Sequence, residues 1–148
     1  MPTIIRNKEM AEKKTVLFVD DDEIGLVSLV RGHLQDSPYN ILAAKGCKEA
    51  LEILKREEVH VIVTDMCMPE MTGLELLRTV RKEYPDIIGI IHTGYTQDTK
   101  LQTAVEDGEV FEIFPKPWKL GGDFEKLIQR AVEHYNLQNE RDALSPIF

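Results

Sequence analysis

Residues 16–23 read VLFVDDDE, four apolar side chains followed at once by four carboxylates. Carboxylates this close repel and raise one another's pKa unless something positive stands among them. Other chemistry-bearing residues follow apolar runs in the same way. Asp65 closes VHVIVTD, Thr93 closes DIIGIIHT, and Lys116 follows VFEIFP. Gathered at one rim, these groups would suit a hard divalent cation such as Mg²⁺, which takes oxygen ligands, keeps part of its water and bridges carboxylates to phosphate. An aspartate so placed can act as a nucleophile toward phosphorus, giving an aspartyl phosphate. The metal and Lys116 would neutralise charge on the transferring oxygens, with a hydrogen bond from the Thr93 hydroxyl.

The elements that must position these residues are short apolar runs alternating with amphipathic stretches. Strands are expected at 15–20, 39–44, 59–65, 86–94 and 110–114. The central three lack clean alternation, the mark of parallel strands buried on both faces. Helical periodicity runs from Ile24 to Leu34, through CKEALEILKRE, and through TGLELLRTVRKEYP, with Thr72 as N-cap and a stop at Pro85. TQDTKLQTAVEDG closes on Gly108, and a last helix starts near Asp123, its N-cap, and runs to about residue 141. Asp22 and Glu23 suit the cap of the first helix. Strand–helix alternation predicts an α/β, doubly wound (βα)₅ flavodoxin-like three-layer sandwich. In such a sheet ligands bind beyond the carboxyl ends of the strands, at the switch point of strand order. Strand two ends in Ala43 and Ala44, with nothing chemical to offer, so it belongs at an edge and the order becomes 2-1-3-4-5.

A chain of 148 residues with 43% hydrophobic and 30% charged side chains fits one globular domain. Its net charge of -8 argues against nucleic-acid or anionic-membrane surfaces, which call for a basic face, and suits cations or a basic partner. Cys47 and Cys67 are too few for a disulfide framework and are expected as small half-buried side chains in a reducing compartment. Neither a signal-peptide core nor a membrane-spanning stretch is evident, and a cytoplasmic location is expected.

VLFVDDDE, VIVTDMCMPEMTGLELL, IIHTGY and FPKPW, in this order at strand ends, resemble the receiver domain of bacterial two-component response regulators, of the CheY-like superfamily. The resemblance covers residues 14–135, leaving an N-terminal extension at 1–13 and a C-terminal helical extension or tail at 136–148. It implies that Asp65 is the phosphoacceptor, and that Asp20, Asp21, Asp65 and the main-chain carbonyl of Cys67 hold Mg²⁺. Asp21 would be the direct ligand and Asp20 would act mainly through water. Thr93 would be the switch hydroxyl and Lys116 its partner lysine, followed by Pro117 in a bond often cis in the family. Gly94 is small, as phosphoryl access requires, and Met68, Pro69 and Gly73 fit the loop into the next helix. The implied donor is a phosphohistidine on a sensor histidine kinase or a small phosphodonor such as acetyl phosphate. The implied output is an unknown partner or a phosphorylation-dependent homodimer. The domain would catalyse only its own phosphorylation and dephosphorylation, and so would not be an enzyme in the ordinary sense.

Three departures stand out. The family often has an aromatic three residues before the lysine, where this chain has Ile113, with Phe111 and Phe114 flanking it but off its face. Cys67 replaces a polar side chain common there, and KPWKLGGDF is a longer link than usual.

Rival readings explain less. A haloacid-dehalogenase-type phosphatase would use Asp20 and Asp22, but needs an acidic pair after the lysine where only Asp123 stands, and leaves Asp65 unexplained. GGDFE resembles a diguanylate-cyclase signature by eye, yet reads better as a helix start. A phosphorylation-independent, receiver-like interaction module would be expected to have lost an acidic or lysine position, and none is lost. His33, His60, His92 and His134 are scattered and suit surface or packing roles, and Trp118 suits a partly exposed anchor near the site.

Overall fold

A computed structural model describes residues 13–22, 37–116 and 122–144. Five strands, β1 (Thr15–Val19), β2 (Asn40–Ala44), β3 (Val61–Asp65), β4 (Ile88–Thr93) and β5 (Glu112–Pro115), alternate with helices α1 (Cys47–Arg56), α2 (Gly73–Glu83), α3 (Thr99–Glu106) and α4 (Gly122–Leu144). All the strand pairs are parallel, in the order β2-β1-β3-β4-β5. The helix expected at residues 24–34, with its cap at Glu23, lies outside the described residues.

Each apolar run became a strand because its side chains have helices to bury them. β1, β3 and β4 are buried along their whole length. On one face Leu17, Val19, Ile62 and Ile91 pack with α1, α2 and α3. On the other, Val16, Phe18, Val63, Ile90 and Phe114 pack with Phe124, Leu127, Ile128 and Ala131 of α4. Full burial of an aliphatic or aromatic side chain contributes about 1.5–3 kcal/mol, so these two layers make the sheet a rigid base for whatever stands on its rim.

Several expectations need correction. The strand at residues 39–44 is not buried on both faces: β2 is the edge, its first four residues exposed or partly so, which agrees with the strand order read from its two alanines. Asp123 is not the N-cap of α4. The helix already includes Gly122, so Asp123 falls in its first turn, where a negative charge meets the positive end of the helix dipole. α4 ends at Leu144 rather than near residue 141. Cys47 is buried but Cys67 is exposed rather than half-buried. Among the described residues, no helix is long and apolar enough to cross a membrane.

Candidate functional site

The carboxyl ends of β1, β3 and β4 and the residue after β5 meet at one rim, because parallel pairing in register puts consecutive strand ends side by side. Val19 lies opposite Thr64, Asp65 opposite His92, and Thr93 opposite Pro115. Asp20 follows β1 and Lys116 follows β5 directly. Main-chain hydrogen bonds fasten these junctions: Asp20 N–H to Ala44 O at 3.1 Å, and Lys116 N–H to Thr93 O at 2.9 Å.

Asp20, Asp21 and Asp65 each offer a carboxylate oxygen, and these lie within 4.8 Å of one another. Asp20 and Asp65 are buried while Asp21 is exposed, so the cluster has two walls and one open side. Asp20 is further fixed by a turn in which the Asp22 N–H donates to its Oδ1 at 2.8 Å. Burial pushes the Asp20 carboxyl up to about 6, with the Asp65 charge adding to the rise and the Asp22 N–H opposing it. Its charge is therefore poorly compensated by the protein. Three oxygen donors, two of them buried, with surplus negative charge fit a hard divalent cation better than any soft metal.

Among the described residues, a lysine brings positive charge to this cluster. Lys116 Nζ lies 2.9 Å from Asp65 Oδ1. Partial burial pulls that ammonium's pKa down, but the hydrogen bond and charge of Asp65 outweigh it and hold the group above the ordinary lysine value. Thr93 is buried at the end of β4, and its Oγ1 accepts the Tyr95 N–H at 3.0 Å. That hydrogen bond uses a lone pair and leaves the hydroxyl proton available to an acceptor. A Cβ on Gly94 would meet nothing within 4 Å, so the approach beside Thr93 is open.

The loop from Asp65 into α2 is shaped by two local devices. Thr72 caps α2 with a full capping box: its Oγ1 accepts from Glu75 N–H and Glu75 Oε1 accepts from Thr72 N–H, both at 3.1 Å. Gly73 then lies against the main chain at the end of β3, donating its N–H to Met66 O at 2.8 Å. A Cβ at Gly73 would stand 2.3 Å from the Asp65 carbonyl oxygen, so only glycine fits there without moving the loop.

Asp20, Asp21, Asp65, Thr93 and Lys116 stand at this rim, and Cys67 lies in the loop two residues after Asp65. Ile113 packs on the α1–α3 side of the sheet, whereas Phe111 and Phe114 pack on the α4 side. No aromatic therefore shares its face within β5. Pro117, Trp118 and the link to α4 fall outside the described residues, as does His33. His134 stacks against Phe111 with centroids 5.1 Å apart, and His60 and His92 are buried. Sequence reasoning missed the close approach of Gly73 to the Asp65 main chain. The burial of His92 agrees with a strand expected to be covered on both faces.

The chain matches the response regulator receiver domain family over residues 16–130. It is 33% identical over 130 residues to the two-component response regulator ORR3 of Oryza sativa subsp. indica, covering 84% of this chain and 96% of that one. The hydrogenase transcriptional regulatory protein HoxA of Cupriavidus necator is 31% identical over 135 residues, which is 91% of this chain but only 28% of HoxA. Among solved structures, a CheY-like response regulator receiver domain protein from Methanospirillum hungatei superposes with a TM-score of 0.72 at 25% identity, covering 84% of this chain and 98% of that one. The chain belongs to the family of response regulator receiver domains, the phosphate-accepting modules of two-component signalling.

Proposed function

We propose that this receiver takes its phosphoryl group on Asp65, with Asp20, Asp21, Asp65 and the main-chain carbonyl of Cys67 holding Mg²⁺. The observation that carries this reading is the Asp65 carboxylate, buried, paired with Lys116 at 2.9 Å and within 4.8 Å of the Asp20 and Asp21 oxygens. Mg²⁺, when bound, supplies positive charge to the phosphoryl oxygens as the transfer proceeds. The protein's own residues do the rest. An Asp65 oxygen attacks phosphorus in line, and the bond from phosphorus to the donor's histidine nitrogen, or to the acetate oxygen of acetyl phosphate, breaks with its electron pair leaving on the donor. Lys116 shifts its ammonium from Asp65 to a phosphoryl oxygen, and Thr93 donates its hydroxyl proton to another. Two hydrogen bonds present only after transfer then favour a second arrangement of the β4–α3 loop and the face formed by α3, β5 and α4.

The donor is a sensor histidine kinase phosphohistidine or a small phosphodonor, in the cytoplasm. The output is a partner protein or domain, or a homodimer formed on phosphorylation. Because the chemistry is confined to its own Asp65, the domain is a switch and turns over no other substrate.

Intact mass after incubation with acetyl phosphate, with and without Mg²⁺, tests the assignment. One phosphoryl group should be gained, only with Mg²⁺ and not by Asp65→Asn. Labelling that persists in Asp65→Asn would move the acceptor elsewhere. Where hydrolysis outruns detection, a beryllofluoride titration followed by the fluorescence of the sole tryptophan should saturate with Mg²⁺ in the wild type alone.

A further inference from the structure

β5 has four residues where β4 has six, and the ladder between them starts at Ile90 opposite Glu112. Ile88 and Gly89, at the amino end of β4, therefore have no partner in β5. The turn before β5 passes them instead, tied by the Phe111 N–H to Gly89 O at 2.8 Å. A cavity of about 250 Å³ opens here, between α2, the end of α3 and the stretch of α4 around His134. Its walls are mainly apolar. Leu77 and Val80 come from α2 and Val105 from α3, and the Phe111 ring stacks on His134 with centroids 5.1 Å apart. Water is poorly held between such walls, and an apolar group that displaces it gains free energy.

Most of the polar side chains in the lining satisfy one another. Glu109 is its carboxylate, and Arg78 takes both oxygens, at 2.7 and 3.3 Å. His134 and Gln138 bond each other, with 3.1 Å between their Nε2 atoms. Arg81 is the exception. Its Nη1 donates to Gly108 O at 3.1 Å, which fixes the guanidinium on the cavity wall. Among the described residues that is one hydrogen bond for a group with five N–H donors. With Glu109 neutralised by Arg78, the charge left over at the cavity is positive and belongs to Arg81. A planar guanidinium fork is the shape that matches a carboxylate.

We propose that this cavity binds a small apolar carboxylate, an aryl- or alkyl-carboxylic acid. The hydrocarbon part lies among Phe111, Leu77 and Val105, and the carboxylate pairs with Arg81 at the mouth. A dry cavity of about 150 Å³ holds benzene, so this one admits a ring with a short chain. For a ligand of that size the dissociation constant is on the order of 0.1–1 mM. The site lies at the end of the sheet opposite Asp65 and takes no part in phosphoryl transfer, so it gives the domain an input of its own.

The test titrates phenylbutyrate, and its uncharged analogue phenylbutanol, into the isotope-labelled protein and follows the amide resonances by NMR. Phenylbutyrate should shift Gly89, Gly108, Val110 and Phe111, and phenylbutanol should bind at the same place about fivefold more weakly. Arg81→Gln should weaken phenylbutyrate about fivefold and leave phenylbutanol within about twofold, because only the charged probe uses the guanidinium. Val105→Phe, which fills the cavity, should abolish binding of both. Wild-type shifts that are absent at several millimolar, or centred on other residues, overturn the proposal. So does Arg81→Gln with unchanged affinity for phenylbutyrate, or with an equal loss for both probes, since the arginine then serves only to hold the Gly108 turn. Unchanged binding in Val105→Phe would likewise put the probe outside the cavity. Asp65→Asn should bind phenylbutyrate as the wild type does, and a loss there would assign the carboxylate to Lys116 and overturn the site.

Discussion

At the amino ends of β1 and β3, Thr15 and His60 exchange two hydrogen bonds: Thr15 N–H to His60 Nδ1 at 2.9 Å and His60 N–H to Thr15 O at 3.0 Å. The His60 carbonyl accepts the Ile88 N–H at 3.0 Å, and its ring meets Tyr135 edge-on at 4.9 Å. At the carboxyl ends of the same strands, Asp20, Asp21 and Asp65 crowd within 4.8 Å with Lys116 as the partner the protein brings to them. Both ends bury polar groups. The amino end closes its polar groups on one another, so its histidine contributes to the fold. The carboxyl end leaves negative charge for something outside the chain to neutralise. Function resides where the protein has not completed its own electrostatics.

The largest consequence concerns Asp20. Its carboxyl titrates near 6 in the folded protein, above the ordinary 3.8, so between these values the folded state binds more protons than the unfolded state. The contribution of Asp20 to the stability of the metal-free protein should therefore be most favourable below about pH 4 and be lost as pH rises through 6. At about 1.36 kcal/mol per unit the cost at pH 7 is at most on the order of 3 kcal/mol, and about half of that once solvent at the rim screens the charges. Asp20→Asn keeps the oxygen that accepts the Asp22 N–H and removes the charge. It should be more stable than wild type by about 1.5–3 kcal/mol at pH 7, and no more stable near pH 4. Urea unfolding in a chelating buffer reads this directly. Mg²⁺ should raise the wild-type midpoint and barely move the variant's. A variant no more stable than wild type at pH 7 would mean that both ends of the sheet are equally satisfied.

His60 carries the opposite sign. Burial, with a smaller push from Lys14, lowers its pKa against the pull of Glu58. The unfolded chain then binds the extra proton, and stability is lost as pH falls below about 6.5. His60→Phe keeps the ring against Tyr135 but removes the acceptor of the Thr15 N–H, which should cost about 1–2 kcal/mol at pH 7. Below pH 6.5 the variant should fall away less steeply than wild type, by up to about 1.4 kcal/mol per pH unit. Parallel curves for the two proteins would show that His60 does not set the acid response of the amino end.

This contrast was half legible in the sequence. The rim could be read because each apolar run stops at a residue with chemistry (Asp20, Asp65, Thr93), and parallel strands must deliver such residues to one end. The edge position of β2 followed from Ala43 and Ala44 having nothing to deliver. The closed end was not legible. Thr15 and His60 are 45 positions apart, and nothing in either local pattern says that one accepts the other's N–H. Gly73 looked like an ordinary glycine before a helix, since the contact that requires it is with the Asp65 main chain and depends on how α2 packs. His92 was read with the other histidines as suiting a surface or packing role, and it is buried against Phe114, its partner in the β4–β5 ladder. Asp123 was misplaced by one step because a cap is set by where the backbone turns, which the run GGDFE leaves undetermined.

The smallest effect probes whether the two ends differ in rigidity as well as in charge. Thr72→Ala removes the exposed capping box of α2 and should cost about 1 kcal/mol. The cap stands directly before Gly73, whose main chain braces the loop after Asp65, so disorder there has a short path to Asp65. Yet α2 is also held by the Gly73 N–H on Met66 O and by Leu74, Leu76, Leu77 and Val80 in the core. Those contacts do not depend on the cap. Thr72→Ala should therefore lose stability in urea while labelling from acetyl phosphate at a rate within about twofold of wild type, given that a cap contributes little beyond the first turn. A labelling rate lowered tenfold or more at unchanged Mg²⁺ affinity would show that the cap, and not the core beneath it, holds the acceptor loop. The carboxyl end would then be the softer end of the sheet as well as the more charged one.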